Sequence, residues 1–277
     1  MKNYSLLTFL LLSFFGSALA QSPRAYDHVF LVVLENENAD NALQQPFLKS
    51  LADKGVYLSN YYAIGHPSQP NYLAMIAGDT FGVSDDGEIT INNSHLGDLL
   101  EKKGLNWKVY AEGYPGNCDL RSEIGGYARK HVPFISFENV QNNPKRCARV
   151  ADARELDRDL AAGNLPNFSM FIPDQSNDGH DTDVAYADKY MAKKFGPLLS
   201  DPKFTSRTLF IVVFDEGGWF SSNQVYAVLL GEQVAKAKVL SSRLTHYDLL
   251  RTIEDLFDLG TLGRNDSHAT SILSVKR

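Results

Sequence analysis

Two apolar runs, His28-Val29-Phe30-Leu31-Val32-Val33-Leu34 and Thr208-Leu209-Phe210-Ile211-Val212-Val213-Phe214, constrain this chain more than any other feature. Neither alternates apolar with polar residues. Each is a continuous stretch rich in β-branched and aromatic side chains, the pattern of a strand covered on both faces. Such strands lie inside a sheet that has helices above and below it. Each run also stops abruptly in acid, the first at Glu35-Asn36-Glu37-Asn38 and the second at Asp215-Glu216-Gly217-Gly218.

The intervening segments alternate between the two periodicities. Pro46–Gly55 reads as an amphipathic helix, with Phe47, Leu48 and Leu51 on one face and Gly55 as its stop, followed by a strand over Val56–Tyr62. Tyr72–Ala77, Leu96–Lys103, Asp152–Ala162, Tyr186–Leu199 and Tyr247–Phe257 have helical composition, whereas Trp107–Ala111, Phe168–Ile172 and Val225–Leu230 read as strands. From Gly113 to Asn143 runs a long Gly-, Pro- and Asn-rich excursion of the kind that shapes pockets. The alternation predicts an α/β fold over residues 21–277: one doubly wound domain with a mostly parallel central β-sheet and helices on both faces. Ligands in such folds bind beyond the carboxyl ends of the strands, which is where the acidic clusters fall.

The first twenty residues read as a processing signal. Lys2 supplies the positive start, Leu6–Phe15 a short apolar core, and Ala18-Leu19-Ala20 a small-residue cleavage site. The run is too short to span a bilayer comfortably, so the expectation is export to the periplasm or medium after cleavage near Ala20, with no stable membrane anchor. In an oxidising compartment Cys118 and Cys147 are expected to form a disulfide, contributing roughly 3 to 4 kcal/mol by loop entropy. Without the leader the chain keeps 26 basic against 33 acidic residues, a net charge of −7, and has no basic run to grip a nucleic-acid backbone.

Chemistry is expected around Gly65-His66-Pro67-Ser68-Gln69-Pro70-Asn71-Tyr72. Prolines on both sides of Ser68 restrict its backbone, and the helix that follows would present free N–H groups to an anion. Taken alone this is also an ordinary polar turn. Glu35-Asn36 and Asp215-Glu216 crowd oxygen ligands at the edge of an apolar sheet, where a divalent cation would relieve their repulsion. Solvated loop acids or helix-capping residues are the plainer alternative. The oxygen donors favour Mg²⁺, Ca²⁺ or Mn²⁺ without excluding Zn²⁺. His66, His180 and His246 are candidates for a second metal site, or for acid, base and phosphate-orienting roles. Asn177-Asp178-Gly179 turns the chain so that His180-Asp181 is presented at a strand end, and Thr245 caps the helix beside His246. His28, His95, His131 and His268 lack such context and read as structural.

Five segments in chain order carry a family resemblance: Val32-Val33-Leu34-Glu35-Asn36, His66-Pro67-Ser68-Gln69-Pro70-Asn71-Tyr72, Asn177-Asp178-Gly179-His180-Asp181, Val213-Phe214-Asp215-Glu216-Gly217-Gly218 and the helix opening at His246-Tyr247-Asp248. The chain resembles the phosphoesterases that include secreted acid phosphatases and, among longer members, phospholipases C, a branch of the alkaline-phosphatase superfamily. The resemblance implies that superfamily's three-layer sandwich. It also implies a metal held by Glu35, Asn36, Asp215 and Glu216, with Ser68 as both ligand and nucleophile. His180 and His246 match positions placed around the phosphate, with His66, Asn71 and Asp181 as substrate contacts. Glu37-Asn38 departs from the family's usual pattern.

The implied reaction is hydrolysis of a small-molecule phosphomonoester through a phosphoserine. Phosphodiester or phospholipase C-type cleavage is the alternative, followed by an exported protein that binds a phosphorylated ligand without turning it over. A sulfatase is disfavoured, because Ser68-Gln69-Pro70-Asn71 is followed by Tyr72 rather than the arginine of the maturation signature. Asn92, Asn167 and Asn265 lie in glycosylation sequons, which matter only in a eukaryotic secretory pathway.

Overall fold

The computed structural model describes residues 25–273, so the expected leader and its cleavage site at Ala20 lie outside the described residues. The strands are β1 His28–Leu34, β2 Val56–Leu58, β3 Tyr61–Tyr62, β4 Trp107–Ala111, β5 Glu123–Ile124, β6 Tyr127–Ala128, β7 Val150–Asp152, β8 Phe168–Ile172, β9 Thr208–Phe214, β10 Ala227–Leu230, β11 Lys238–Leu240 and β12 Leu244–Thr245. Eight of them form the central sheet in the order β11-β2-β10-β9-β1-β8-β4-β7, and β3 pairs with β12, β5 with β6, in two small ribbons. Within the central sheet β10 alone runs against its neighbours.

The two apolar runs lie side by side at its centre. β1 and β9 pair in parallel from His28 with Thr208 through Leu34 with Phe214. Val29 to Leu34 are all fully buried. Side chains of a strand point alternately to its two faces, so both faces must be covered. The helices Pro46–Lys54, Val184–Leu199 and Pro202–Thr205 form one packed group, and Ser68–Ala77, Leu96–Lys102 and His246–Phe257 another. Phe30 of β1 meets Phe195 and Phe204 of the first group with ring centroids 5.8 and 5.7 Å away.

This register dictates where the acids emerge. Leu34 is level with Phe214, so Glu35 and Asp215 leave the same edge of the sheet one residue later, and the Asp215 N–H donates to the Leu34 carbonyl at 2.9 Å. β8 runs parallel beside β1 and delivers Pro173–Asp181 to that edge as well. The excursion after β4 folds back through the β5–β6 ribbon and two short 3-10 turns, Arg129–His131 and Pro133–Ser136, which pack on the Ser68–Ala77 helix. The disulfide Cys118–Cys147 closes this excursion, with the two Cα atoms 5.4 Å apart.

Several boundaries differ from the sequence reading. The helix expected from Tyr72 starts at Ser68 itself. The expected strand Val56–Tyr62 divides at Ser59-Asn60 into β2 and β3, which join different sheets. Short β7 and β11 at the sheet edges carry too few residues to show a periodicity, and β7 takes Asp152 from the expected helix, which begins at Glu155.

Candidate active site

Ser68 is the first residue of its helix, follows a cis His66–Pro67 bond, and is only 2% exposed. Its hydroxyl donates to Glu35 Oε2 at 3.0 Å. The turn that holds it is stapled by Asn71, one helical turn along. Asn71 Oδ1 accepts the N–H groups of Ile64 at 2.8 Å and Gly65 at 3.1 Å, while its Nδ2 donates to the carbonyls of Gly65 at 2.9 Å and Pro67 at 3.1 Å. Asn71 is fully buried and its amide staples the turn, with Nδ2 also 3.5 Å from Glu216 Oε2.

Glu35, Asp178, Asp215 and Glu216 come together as buried carboxyl groups. The backbone of Asn36 adopts a left-handed conformation, φ 57°, and its N–H donates to Asp215 Oδ1 at 3.1 Å. The Tyr72 hydroxyl donates to the other oxygen of Glu35. Burial first, then the charges of Asp215 and Asp178, push Glu35 well above the carboxylate range. Burial likewise raises Asp215 to about 7 and Asp178 and Glu216 to about 8. Asn36 Oδ1, Asp178 Oδ2 and Asp215 Oδ2 are buried acceptors with no hydrogen-bond donor. Unmet oxygens and mutually repelling carboxyls at one point fit a divalent cation, which answers both costs at once.

The histidines divide differently from the sequence reading. His131, read as structural, is buried in the site: Nε2 lies 3.4 Å from Glu35 Oε2, Nδ1 lies 3.6 Å from Asp178 Oδ2, and the ring stacks on Tyr72 at 5.2 Å. Burial holds it well below its usual value, so it is neutral and able to offer a lone pair. Glu35, His131 and His180 present ligand atoms within 4.8 Å of one another, so imidazole nitrogens join the oxygen donors. His180 bonds Asp181 Oδ1 through Nδ1 at 2.8 Å, and its Nε2 lies 3.5 Å from Lys130 Nζ. His66 Nδ1 bonds Glu216 Oε2 at 2.9 Å.

His246, expected beside the phosphate, is fully buried behind Asp215. A carbonyl only accepts, so Nε2 carries the proton toward Asp215 O at 2.6 Å, and Nδ1 accepts from the Tyr61 hydroxyl at 2.9 Å. Burial lowers this imidazole to about 4. With both nitrogens committed and no exposed edge, His246 fixes the backbone of Asp215 and does not line the cavity.

That cavity, ≈360 Å³, opens over Ser68 and is lined also by Asn36, Asp86, Lys130, His180, Glu216 and Trp219. Lys130 and Asp86 had no motif to mark them. The Lys130 ammonium donates to Asp86 Oδ2 at 2.9 Å, and Asp86 Oδ1 accepts the Gln69 N–H at 3.0 Å. Desolvation works to lower Lys130, but Asp86 and the more distant Glu35 and Asp215 outweigh it, so the cation is retained.

The Phosphoesterase family profile matches residues 41–260. A probable acid phosphatase from Kluyveromyces lactis is 36% identical over 258 residues, covering 88% of this chain and 61% of that protein. A phosphatidylinositol-3-phosphatase from Mycobacterium tuberculosis is 32% identical over 244 residues, covering 86% of this chain and 79% of that one. The chain thus spans about three fifths of the length of the fungal relative, at 61%. A solved alkaline-phosphatase-superfamily protein from Vibrio parahaemolyticus superposes with a TM-score of 0.62 at 13% identity over 88% of this chain and 71% of that one, a likeness of fold. By profile and by identity along most of its length, this chain belongs to the phosphoesterase family.

Proposed function

We propose that the protein is an exported, metal-dependent phosphomonoesterase in which Ser68 is the nucleophile. The observation that carries this reading is the Ser68 hydroxyl on Glu35 Oε2 at 3.0 Å, in a site where the buried Asn36 Oδ1, Asp178 Oδ2 and Asp215 Oδ2 lack donors. The acid phosphatase and phosphatidylinositol-3-phosphatase relatives support phosphate-ester chemistry. Glu35, Asn36, Asp215 and Glu216, with Ser68, would hold the cation. Oxygen donors favour Mg²⁺, Ca²⁺ or Mn²⁺, and the neutral His131 imidazole beside Glu35 admits Zn²⁺. When bound, a divalent cation lowers the pKa of a hydroxyl and balances charge on phosphoryl oxygens.

The chain's own groups then share the work. Lys130, which lines the cavity over Ser68, receives the phosphoryl oxygens. Ser68 Oγ passes its proton to Glu35, which it already touches, and attacks phosphorus in line. As the ester bond breaks, His180, oriented by Asp181, protonates the departing alcohol oxygen. Water then attacks phosphorus: its hydroxyl joins the phosphate while its proton goes to His180, and as the Ser68 O–P bond breaks Glu35 returns its proton to the serine oxygen, which frees Ser68 and inorganic phosphate. His246 takes no part in proton transfer on this account.

Release of phosphate from 4-nitrophenyl phosphate, with and without EDTA, tests the reading. Wild type is expected to be active and EDTA-sensitive, and Ser68→Ala to lose about a thousandfold or more in kcat. Turnover of a bis-ester alone would replace the monoesterase reading with the diesterase one, and binding of phosphate without turnover would leave a binding protein.

A further inference from the structure

The turn after the second acidic strand end carries two aromatic side chains that the mechanism leaves unused. Trp219 is 65% exposed and Phe220 99%, the highest values among the described large apolar side chains. Ser221 N–H donates to the Gly218 carbonyl at 2.8 Å, which places both aromatics at the centre of a closed turn. The turn is held on each flank. Asn38 Oδ1 accepts the Gly218 N–H at 3.3 Å, and Asn223 Oδ1 accepts the Gly217 N–H at 2.7 Å. Asn223 Nδ2 also donates to the Gly65 carbonyl at 3.0 Å, tying the turn to the segment before Ser68. A Cβ at Gly217 would stand 2.5 Å from Ser221 Oγ and 2.7 Å from Asn38 Oδ1, so a larger residue there would push aside the Asn38 side chain that holds the turn. The departure at Glu37-Asn38 thus has a use, since Asn38 anchors this turn.

So restrained, Trp219 is held in place beside the chemistry. Its ring stands 5.3 Å from that of His66, and it forms a wall of the cavity over Ser68. Of the other lining residues, Ser68, Asp86, Lys130, His180 and Glu216 are polar or charged and suit the phosphoryl end of an ester, while Pro67 adds a small apolar surface. The alcohol end must point toward the mouth, where the indole offers an apolar face with little else covering it. A ring laid on that face removes apolar surface from water, and a small hydroxylated alcohol gains nothing there.

We propose that Trp219, extended outward by Phe220, is a leaving-group subsite that selects phosphate esters of apolar alcohols, aryl groups foremost, over small hydrophilic ones. The proposal rests on the phosphoesterase reading, so it is tested by turnover and by binding. In turnover, kcat/KM of wild type and Trp219→Ala is compared on phenyl phosphate and glycerol phosphate. The loss on phenyl phosphate is expected to exceed that on glycerol phosphate by about tenfold, the scale of one well-packed aromatic contact. In binding, phenylphosphonate and methylphosphonate are titrated while acrylamide quenches tryptophan fluorescence. Trp107, the other of the two tryptophans, is 1% exposed, so quenching reports Trp219. Phenylphosphonate is expected to protect it and methylphosphonate not. Equal losses on the two esters, or equal protection by the two phosphonates, overturns the proposal. So does Phe220-dependent binding to phosphatidylcholine vesicles without protection by phenylphosphonate, since the aromatics would then serve a lipid surface. Were wild type to hydrolyse neither ester, the enzymatic reading would fall and the phosphonate titration would still decide the subsite.

Discussion

Ser68, His131 and His246 show how far single residues betray their role. Ser68 was conspicuous in the sequence because acids follow both buried strands and supply a reason for a hydroxyl to be pinned between prolines. His131 was not, because it lies in a loop with no periodicity, and only the packing of Arg129–His131 on the Ser68–Ala77 helix brings it to Glu35. His246 misleads in the opposite sense: a histidine opening a helix at the correct end of the sheet has both nitrogens used internally. His246→Ala should therefore cost about 1 to 3 kcal/mol of stability, because the Tyr61 hydroxyl and the Asp215 carbonyl lose their partner. Its pH–rate profile should keep the wild-type shape. His180→Ala, by contrast, is expected to lose about 100-fold or more in kcat on an ester with a poor leaving group and far less on 4-nitrophenyl phosphate, whose alcohol needs little protonation. Denaturant melts and steady-state rates across pH check both variants.

Among elements, the long central strands were read from their composition almost to the residue, since a continuous apolar run bounded by polar residues marks its own ends. The short edge strands and the excursion after β4 were not, because their geometry comes from contacts distant in sequence. The excursion supplies Lys130 and His131, and the disulfide Cys118–Cys147 closes it. Reduction, or Cys118→Ala with Cys147→Ala, is expected to cost about 2 to 5 kcal/mol and to lower activity while far-UV circular dichroism at moderate temperature stays native. On the opposite side of the argument, Phe30 of β1 packs among Phe171, Phe195, Phe204 and Phe210. Phe30→Ala should cost about 3 to 5 kcal/mol through the cavity it leaves, measured by urea unfolding.

At the scale of the whole molecule, the fold concentrates buried carboxyl groups, and stability must follow pH. Away from the active site, Glu254 is buried in the His246–Phe257 helix, and burial, then the charge of Asp266, raises it to about 9. Its folded form holds a proton that the unfolded chain gives up near the ordinary carboxylate value, so it subtracts stability as pH rises between those two values. Glu254→Gln is therefore expected to raise Tm over wild type at about pH 8 and to change it little at about pH 4, as scanning calorimetry would show. The central claim joins these scales: acidic strand ends, a pinned turn and a packed excursion converge to make Ser68 a nucleophile. Rapid acid quenching during turnover of a phosphomonoester, followed by mass spectrometry of the Ser68 peptide, tests it most directly. The account predicts a phosphorylated Ser68 that builds up with substrate and disappears on chase. Turnover at the wild-type rate by Ser68→Ala, with phosphate on no residue, would contradict it.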